Sequence, residues 1–454
     1  MNVENFGALK KLSARLGEKL YLVGGVVRNY LLCGKFLGDI DLASANAAEE
    51  LEEALRAEGL QIDAVYKRTG TVMFRLPDGE HCEHTTFRRE EYEEGGAHTP
   101  ARTAFTGEIA EDARRRDFKC NAIYMDVVSE KIADPLGGEA DVRARRLDTT
   151  VSPREVFRAD GLRLLRLCRF AAELGFAPTE ETVAGAREFR KNIDDISAER
   201  IWDELKKMLL ADRKYPFSDP RGHYTALKLC HKIGVLERIM PELTAGDGMP
   251  QRSDFHDHDV LEHSLRTVLY ADPRVRLAAL LHDVGKPYAM RHFGAYKTHN
   301  ENGEVIARDI LMRLKAPKAV TEEVCALTYL HMTDLDGRMK EGKVRLFLAE
   351  HFALIEKLLL LKQADYSACK DDLSPAPTVE KWKKIMAKME AEGAPLSLSQ
   401  LKIGGKELAA LGYRGKEIGE ELSRLFRLAV LDGKLNDPAK MKELAARNLP
   451  SGGK

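Results

Sequence analysis

The stretch LYLVGGVVRNYLLCGKFLGDIDLAS, beginning at Leu20, constrains the fold more than any other part of the chain. A short apolar run ends in two glycines, a helix-length segment follows, and the chain returns with aspartates at alternate positions. Gly24 and Gly25 remove side chains where the backbone must turn and where a ligand must approach it, and the free N–H groups of the helix that follows attract an anion. The unit is a phosphate seat. Alternation along the return strand puts Asp39 and Asp41 on one face while Ile40 and Leu42 enter the core. Two carboxylates beside a phosphate seat point to bound magnesium.

Strand-like runs are confined to the first third of the chain: LYLVGG, GDIDLAS, TVMFRL, HCEHTTF and CNAIYMDVV. Beyond about residue 150 apolar residues return every three or four positions, as in FRADGLRLLRLCRFAAELGF and ERIWDELKKMLL, which predicts helices almost throughout. The expected class is α+β, with a small head built on a mixed sheet and a long helical body. At 454 residues the chain exceeds one ordinary core. Breaks at SPRE, AGDGMPQRSD and DDLSPAPT divide it into 1–150, 151–245, 246–375 and 376–454.

Further along the head, Glu83 sits in GEHCEHTTFRREEY. If its strand lies beside GDID, it supplies the third carboxylate of a two-metal site; otherwise it is a solvent-facing strand residue. In EDARRRDFKCNAIYMD, Arg116 has the forked geometry that clamps a triphosphate, while Asp117 and Asn121 offer partners to ribose hydroxyls. Asp160, Arg163, Arg166 and Arg169 recur every third residue, a slanting stripe on a single helix. A carboxylate accepts from the exocyclic amino group that cytosine and adenine carry, and a guanidinium donates to the ring nitrogen beside it. Asp160 with Arg163 would therefore accept C and A and reject U and G.

The net charge of −1 excludes a uniformly basic nucleic-acid coat but permits local basic surfaces. No apolar run approaches the ~20 residues that span a bilayer, and the first residues read as an amphipathic helix, not a signal peptide, so no membrane association and a cytoplasmic location are expected. Seven cysteines without a CxxC pair argue against a zinc knuckle or a disulfide framework; reduced, mostly buried thiols are expected.

In order, GGVVRN, GDID, EHTTFRREEY, RRDFKCNAIYMD, DPLGG, DGLRLLRLCRFAAELGF and ERIWDEL resemble the class II tRNA nucleotidyltransferases, the CCA-adding enzymes of bacteria. The match covers the head and neck, and LKIGGKELAALGYRGKEIGEELSRLFRLAVLDGKLND is similar to the C-terminal region of the same family. The resemblance implies a polymerase-β-like head, a neck carrying the base-reading helix, and a helical tRNA-binding tail. It implies magnesium on Asp39 and Asp41, CTP and ATP bound by Gly25, Arg28, Arg116, Asp160, Arg163, Arg166 and Arg169, and tRNA as partner. Two positions depart from the pattern: Asn29 replaces the aspartate of GGxVRD, and Ala159 replaces the glutamate of EDxxR. A partial enzyme adding only CC or A and a bacterial poly(A) polymerase are the nearest alternatives. No RRFxLxH-like run follows Asp41, and TTFRREEY with EIAEDARRRDF instead resembles the flexible loop of the full CCA-adding enzymes.

HDHDVLEHSLRTVLYADPRVRLAALLHDVGKP and the later QADYSA place His263, His282, Asp283 and Asp365 in the order of the HD metal-dependent phosphohydrolases, which they resemble. Imidazole and carboxylate ligands suit a first-row divalent metal. His299 and His331 are candidates for a second metal or for structural roles. Such a domain either hydrolyses phosphate esters, with tRNA 3′ or cyclic phosphates as substrates, or has kept the fold alone. Nothing in the sequence sets the oligomeric state.

Overall fold

The computed structural model describes residues 3–17, 19–92 and 101–449. Its chain divides into two compact units, one of residues 1–244 with 313–315, the other of 245–312 with 316–454.

The first unit begins with the Val3–Leu16 helix and a seven-stranded mixed sheet of order β3-β4-β5-β2-β1-β8-β9. Its strands are β1 (Tyr21–Val23), β2 (Ile40–Ser44), β3 (Gln61–Tyr66), β4 (Thr71–Arg75), β5 (His81–Thr86), β8 (Tyr124–Asp126) and β9 (Ile132–Ala133). All pairings are antiparallel except β2 with β5. That single parallel pair sets Asp41 directly beside Glu83, so the carboxylate strand has the neighbour that the three-carboxylate reading requires. Ile40 and Leu42 are buried as the alternation predicts. Two further strands, β6 (Arg88–Glu91) and β7 (Arg102–Phe105), form a separate antiparallel hairpin. It occupies the region likened above to a flexible loop, whose central residues 93–100 lie outside the described residues. β3 has no counterpart among the strands read from sequence, and Cys120 and Asn121, expected as strand, lie in the short 3-10 turn Lys119–Asn121.

Helices follow from Pro153 onward. The stripe expected on one helix is divided between two. The Pro153–Ala159 helix ends at Asp160, whose backbone is extended, and a second helix runs Leu162–Leu174 with Arg163, Arg166 and Arg169. The break has a packing cause: a Cβ on Gly161 would lie 2.0 Å from the carbonyl oxygen of Asn192. A buried backbone contact from a distant segment overrides the local helical period.

The second unit is helical. It includes Val260–Tyr270, Arg276–Leu281, His299–Arg313, Lys318–Leu330 and Phe352–Lys370, and a C-terminal cluster in which Leu408, Leu425, Ala429 and Met441 are fully buried. No described helix is long and apolar enough to cross a membrane. Five of the seven cysteines are buried and all are free thiols.

Candidate active site and metal centre

Every head and neck residue expected to act in catalysis or nucleotide binding lines one cleft of about 680 Å³ in the first unit. Its floor is the turn between β1 and the Gly25–Cys33 helix. Gly24 has φ 78°, a left-handed conformation, and a Cβ there would stand 3.2 Å from Asp41 Oδ2. Glycine is therefore needed twice, for the turn and for the close passage of the carboxylate.

Asp39, Asp41 and Glu83 converge on one side of the cleft. The Asp41 carboxyl is pushed up to about 6, first by burial and then by the Glu83 and Asp39 charges, against the pull of Arg116 and Arg166. Carboxylates that raise one another's affinity for a proton also favour a cation, so the donor set fits a divalent ion with oxygen ligands.

The cleft arginines Arg115 and Arg116 rest on a buried anchor that the sequence reading missed. Asp112 accepts from Arg115 Nε at 2.8 Å, from Arg116 Nη2 at 3.1 Å and from the Tyr124 hydroxyl at 2.6 Å. Despite its burial, these cations and this hydroxyl hold its carboxyl at about 2. Arg116 also stands over the Tyr124 ring, 5.3 Å from its centroid. The signal was present in EDARRR: an aspartate three and four residues before two arginines at a helix end.

Arg28 is buried, with its guanidinium committed locally. It donates to Asn121 Oδ1, and from Nε and Nη2 to Asn29 Oδ1 at 3.2 and 3.0 Å; it also lies over the Phe170 ring. Asn29 in turn donates to the Leu37 carbonyl at 2.8 Å. An aspartate at this position would accept from Arg28 equally well but has no proton for Leu37, so the departure at Asn29 adds a hydrogen bond.

The arginines of the stripe have distinct partners. Arg166 pairs with Asp117 Oδ2 at 2.6 Å. Arg169 is held between Glu204 at 2.6 Å and Glu173 at 3.0 Å, carboxylates that the sequence reading did not connect with it. Arg163 donates to the Arg115 carbonyl at 2.7 Å and stands 5.9 Å over the Tyr92 ring. Asp160 accepts from the Leu162 N–H at 2.9 Å, which caps the next helix, and its other oxygen is 3.9 Å from Arg200. Asp160 and Arg163 thus share the cleft wall, the Arg163 N–H donating to the Asp160 carbonyl at 3.1 Å, while their side chains turn to different partners. Arg200 and Tyr215 also line the cleft and were not anticipated.

In the second unit, His263, His282, Asp283, Asp365, His299 and His331 come from five helices or their ends and meet in one buried cluster. Asp283 is at its centre. Its Oδ2 lies 3.4 Å from His263 Nε2 and 3.2 Å from His282 Nε2, and its Oδ1 lies 3.2 Å from His299 Nε2 and 3.6 Å from His331 Nε2. Asp365 Oδ1 is 3.0 Å from His263 Nε2. Three of the rings face the backbone through their other nitrogen: His282 Nδ1 toward Ala279 O at 2.8 Å, His299 Nδ1 toward Tyr296 O at 2.7 Å, and His331 Nδ1 toward Thr328 O at 2.6 Å. An Nδ1–H donated to a carbonyl leaves an Nε2 lone pair aimed at Asp283, the arrangement that ligating histidines use. These residues would hold divalent cations, with His263, His282 and Asp283 as one donor group and Asp283, His299 and His331 as another.

Comparison with known proteins agrees with this architecture. Residues 20–148 match the poly A polymerase head domain, 175–246 the probable RNA and SrmB-binding site of polymerase A, and 260–368 the HD domain. The fold and cleft therefore define a nucleotidyltransferase head on a helical RNA-binding region. The Multifunctional CCA protein of Neisseria gonorrhoeae is 35% identical over 66% of this chain and 71% of its own length. The CC-adding tRNA nucleotidyltransferase of Thermus thermophilus is 31% identical over 89% of this chain and 88% of its own. The A-adding tRNA nucleotidyltransferase of Deinococcus radiodurans is 30% identical over 75% of this chain and 79% of its own. In fold, the Bacillus stearothermophilus CCA-adding enzyme in complex with CTP superposes with a TM-score of 0.67 at 23% identity, covering 98% of each chain. The chain belongs to the tRNA nucleotidyltransferase family and is an enzyme.

Proposed function

We propose that this chain builds CCA at tRNA 3′ ends from CTP and ATP, using Asp39, Asp41 and Glu83 as its catalytic carboxylates. The observation that carries the reading is their convergence, with the glycine turn and the arginine wall, in one cleft. Asp39 and Asp41 hold magnesium, which supplies Lewis-acid stabilisation of the charge that develops on phosphate. The Gly24–Gly25 turn and Arg116 bind the triphosphate, and Asp117 and Asn121 face the ribose. Arg166 and Arg169 close the wall, and Arg28 stiffens the turn through Asn29 and Asn121. The tRNA 3′ oxygen then bonds to the α-phosphorus as the bond to the bridging oxygen breaks, releasing pyrophosphate. Asp160 and Arg163 select the base by protein side chains in place of a template.

Relatives named for CC addition and for A addition span most of this chain, so the extent of addition is the property to measure. Purified protein is incubated with tRNAs ending before the first C and after CC, with CTP and ATP supplied separately and together. The reading expects CC from CTP alone on the first tRNA, A from ATP on the second, and CCA from the mixture. Products stopping at CC, or addition of A only, would assign a partial enzyme; a long A tail would assign a poly(A) polymerase.

The converging His/Asp cluster supports a second activity, hydrolysis of phosphate esters such as tRNA 3′ or cyclic phosphates, through residues 246–375. On this reading residues 1–150 are the nucleotidyltransferase head, 151–245 the neck with the base-reading residues, and 376–454 a tRNA-binding tail. The enzyme works in the cytoplasm, where tRNA and nucleotides are available. Manganese- or nickel-dependent opening of a 2′,3′-cyclic nucleotide to its 2′- or 3′-monophosphate tests the hydrolase reading; no opening with any divalent metal would leave the cluster a scaffold.

A further inference from the structure

Beside the HD cluster lies a second group of which that reading uses only His263. One ligand atom each from His256, His263 and Cys369 lies within 4.8 Å of the others. His256 belongs to the loop before the Val260–Tyr270 helix, and its ring stands edge-on to that of His263 with centroids 4.8 Å apart. Cys369 is one helical turn past Asp365 on the Phe352–Lys370 helix. The two segments are tied together, since the N–H of Asp257 donates to the Cys369 carbonyl at 3.0 Å. His263 is fully buried, and its Nδ1 and the Nδ1 of His256 are buried nitrogens without a hydrogen-bond partner. Buried polar atoms are ordinarily paired, so two unpaired imidazole nitrogens beside a thiol are donors suited to a metal ion.

We propose that His256, His263 and Cys369 form a thiolate-containing site for a soft divalent cation of the zinc class, distinct from the Asp283-centred cluster and in competition with it. The donor chemistry separates the two. A thiolate with two imidazoles selects zinc, cobalt or cadmium, whereas the thiolate-free cluster of imidazoles and carboxylates accepts a harder first-row ion such as manganese as well. Three protein ligands leave the fourth tetrahedral position to water. Binding displaces the Cys369 thiol proton to solvent as the metal–sulfur bond forms, so affinity falls with falling pH. The competition follows from His263. A neutral imidazole has one lone pair for a metal, so the ring serves one ion at a time, and a zinc ion held by Cys369 removes His263 from the HD centre. That consequence rests on the HD reading; the thiolate site itself does not.

The test uses full-length protein stripped of metal and given one equivalent of cobalt(II). The wild-type protein is expected to show a thiolate-to-cobalt charge-transfer band in the near ultraviolet that zinc abolishes. Cys369→Ser should lose the band while keeping the far-ultraviolet circular dichroism of the wild type, and its zinc dissociation constant should rise by about a hundredfold. His299→Ala should keep the band. Absence of the band in the wild-type protein, or its persistence in Cys369→Ser, overturns the site. With manganese present, zinc should suppress phosphate-ester hydrolysis in the wild type and do so less in Cys369→Ser. Equal suppression in both overturns the competition, while a protein without hydrolase activity defeats the HD reading and leaves the cobalt result to decide the site.

Discussion

Asp41 lines the cleft, packed against Gly24 and paired across the sheet with Glu83. Its carboxyl is raised from 3.8 to about 6, first by burial. Because the folded value lies above the unfolded one, this group favours the folded state below about pH 4 and loses that contribution as pH rises through about 6. For catalysis the sign reverses: the ionised form holds the metal, so protons compete with magnesium below about pH 6. The magnesium concentration for half-maximal nucleotide addition should rise roughly tenfold per pH unit below that point, and a magnesium requirement flat from pH 7 to 5 would contradict the assignment. Asp160 permits a sharper test of base reading than removal of its side chain. Because Asp160 caps the Leu162 N–H, alanine would disturb the helix start, whereas Asp160→Asn keeps the capping oxygen and adds an N–H₂ donor. That donor suits uracil O4 in place of cytosine N4, so the CTP-to-UTP ratio of single-turnover efficiencies should fall about ten- to a hundredfold. An unchanged ratio would remove Asp160 from base selection.

The Leu162–Leu174 helix shows what could be read locally and what could not. Its arginine spacing was legible because period alone carries it, as was the carboxylate strand, whose alternation buries Ile40 and Leu42. The break at Asp160-Gly161 was not legible, because it answers to Asn192, some thirty residues away in sequence. Neither was the division of labour along the helix: Glu204, the buried partner of Arg169, arrives on a different helix. The edge strand β3 escaped because QIDAVY is only half-buried and carries a weak apolar period. Replacing Arg169 with methionine would leave buried Glu173 without its cation and Glu204 with only the more exposed Lys207 at 3.4 Å, and a loss of about 3–5 kcal/mol is expected by urea denaturation. A loss below about 1 kcal/mol would mean that the triad is solvated. Gly161→Ala would collide with the Asn192 carbonyl, and its cost, about 2 kcal/mol or more, should appear in the same experiment.

At the scale of the molecule, the two chemistries lie in separate compact units, the carboxylate cleft in the first and the His/Asp cluster in the second. The double variant His282→Ala with Asp283→Ala should therefore abolish metal-dependent phosphate-ester hydrolysis and leave nucleotide addition within about twofold of wild type, because the two sites share no residues. Loss of both activities together would show that the cluster supports the fold of the whole enzyme. The central claim is that the Asp39–Asp41–Glu83 trio carries nucleotidyl transfer. It is tested most directly by single-turnover addition of CMP to a tRNA lacking CCA, comparing wild type with Asp41→Ala at saturating CTP and with matched circular dichroism. The account predicts a fall of about a thousandfold or more in rate, with the folded state intact; a rate within tenfold of wild type would contradict it.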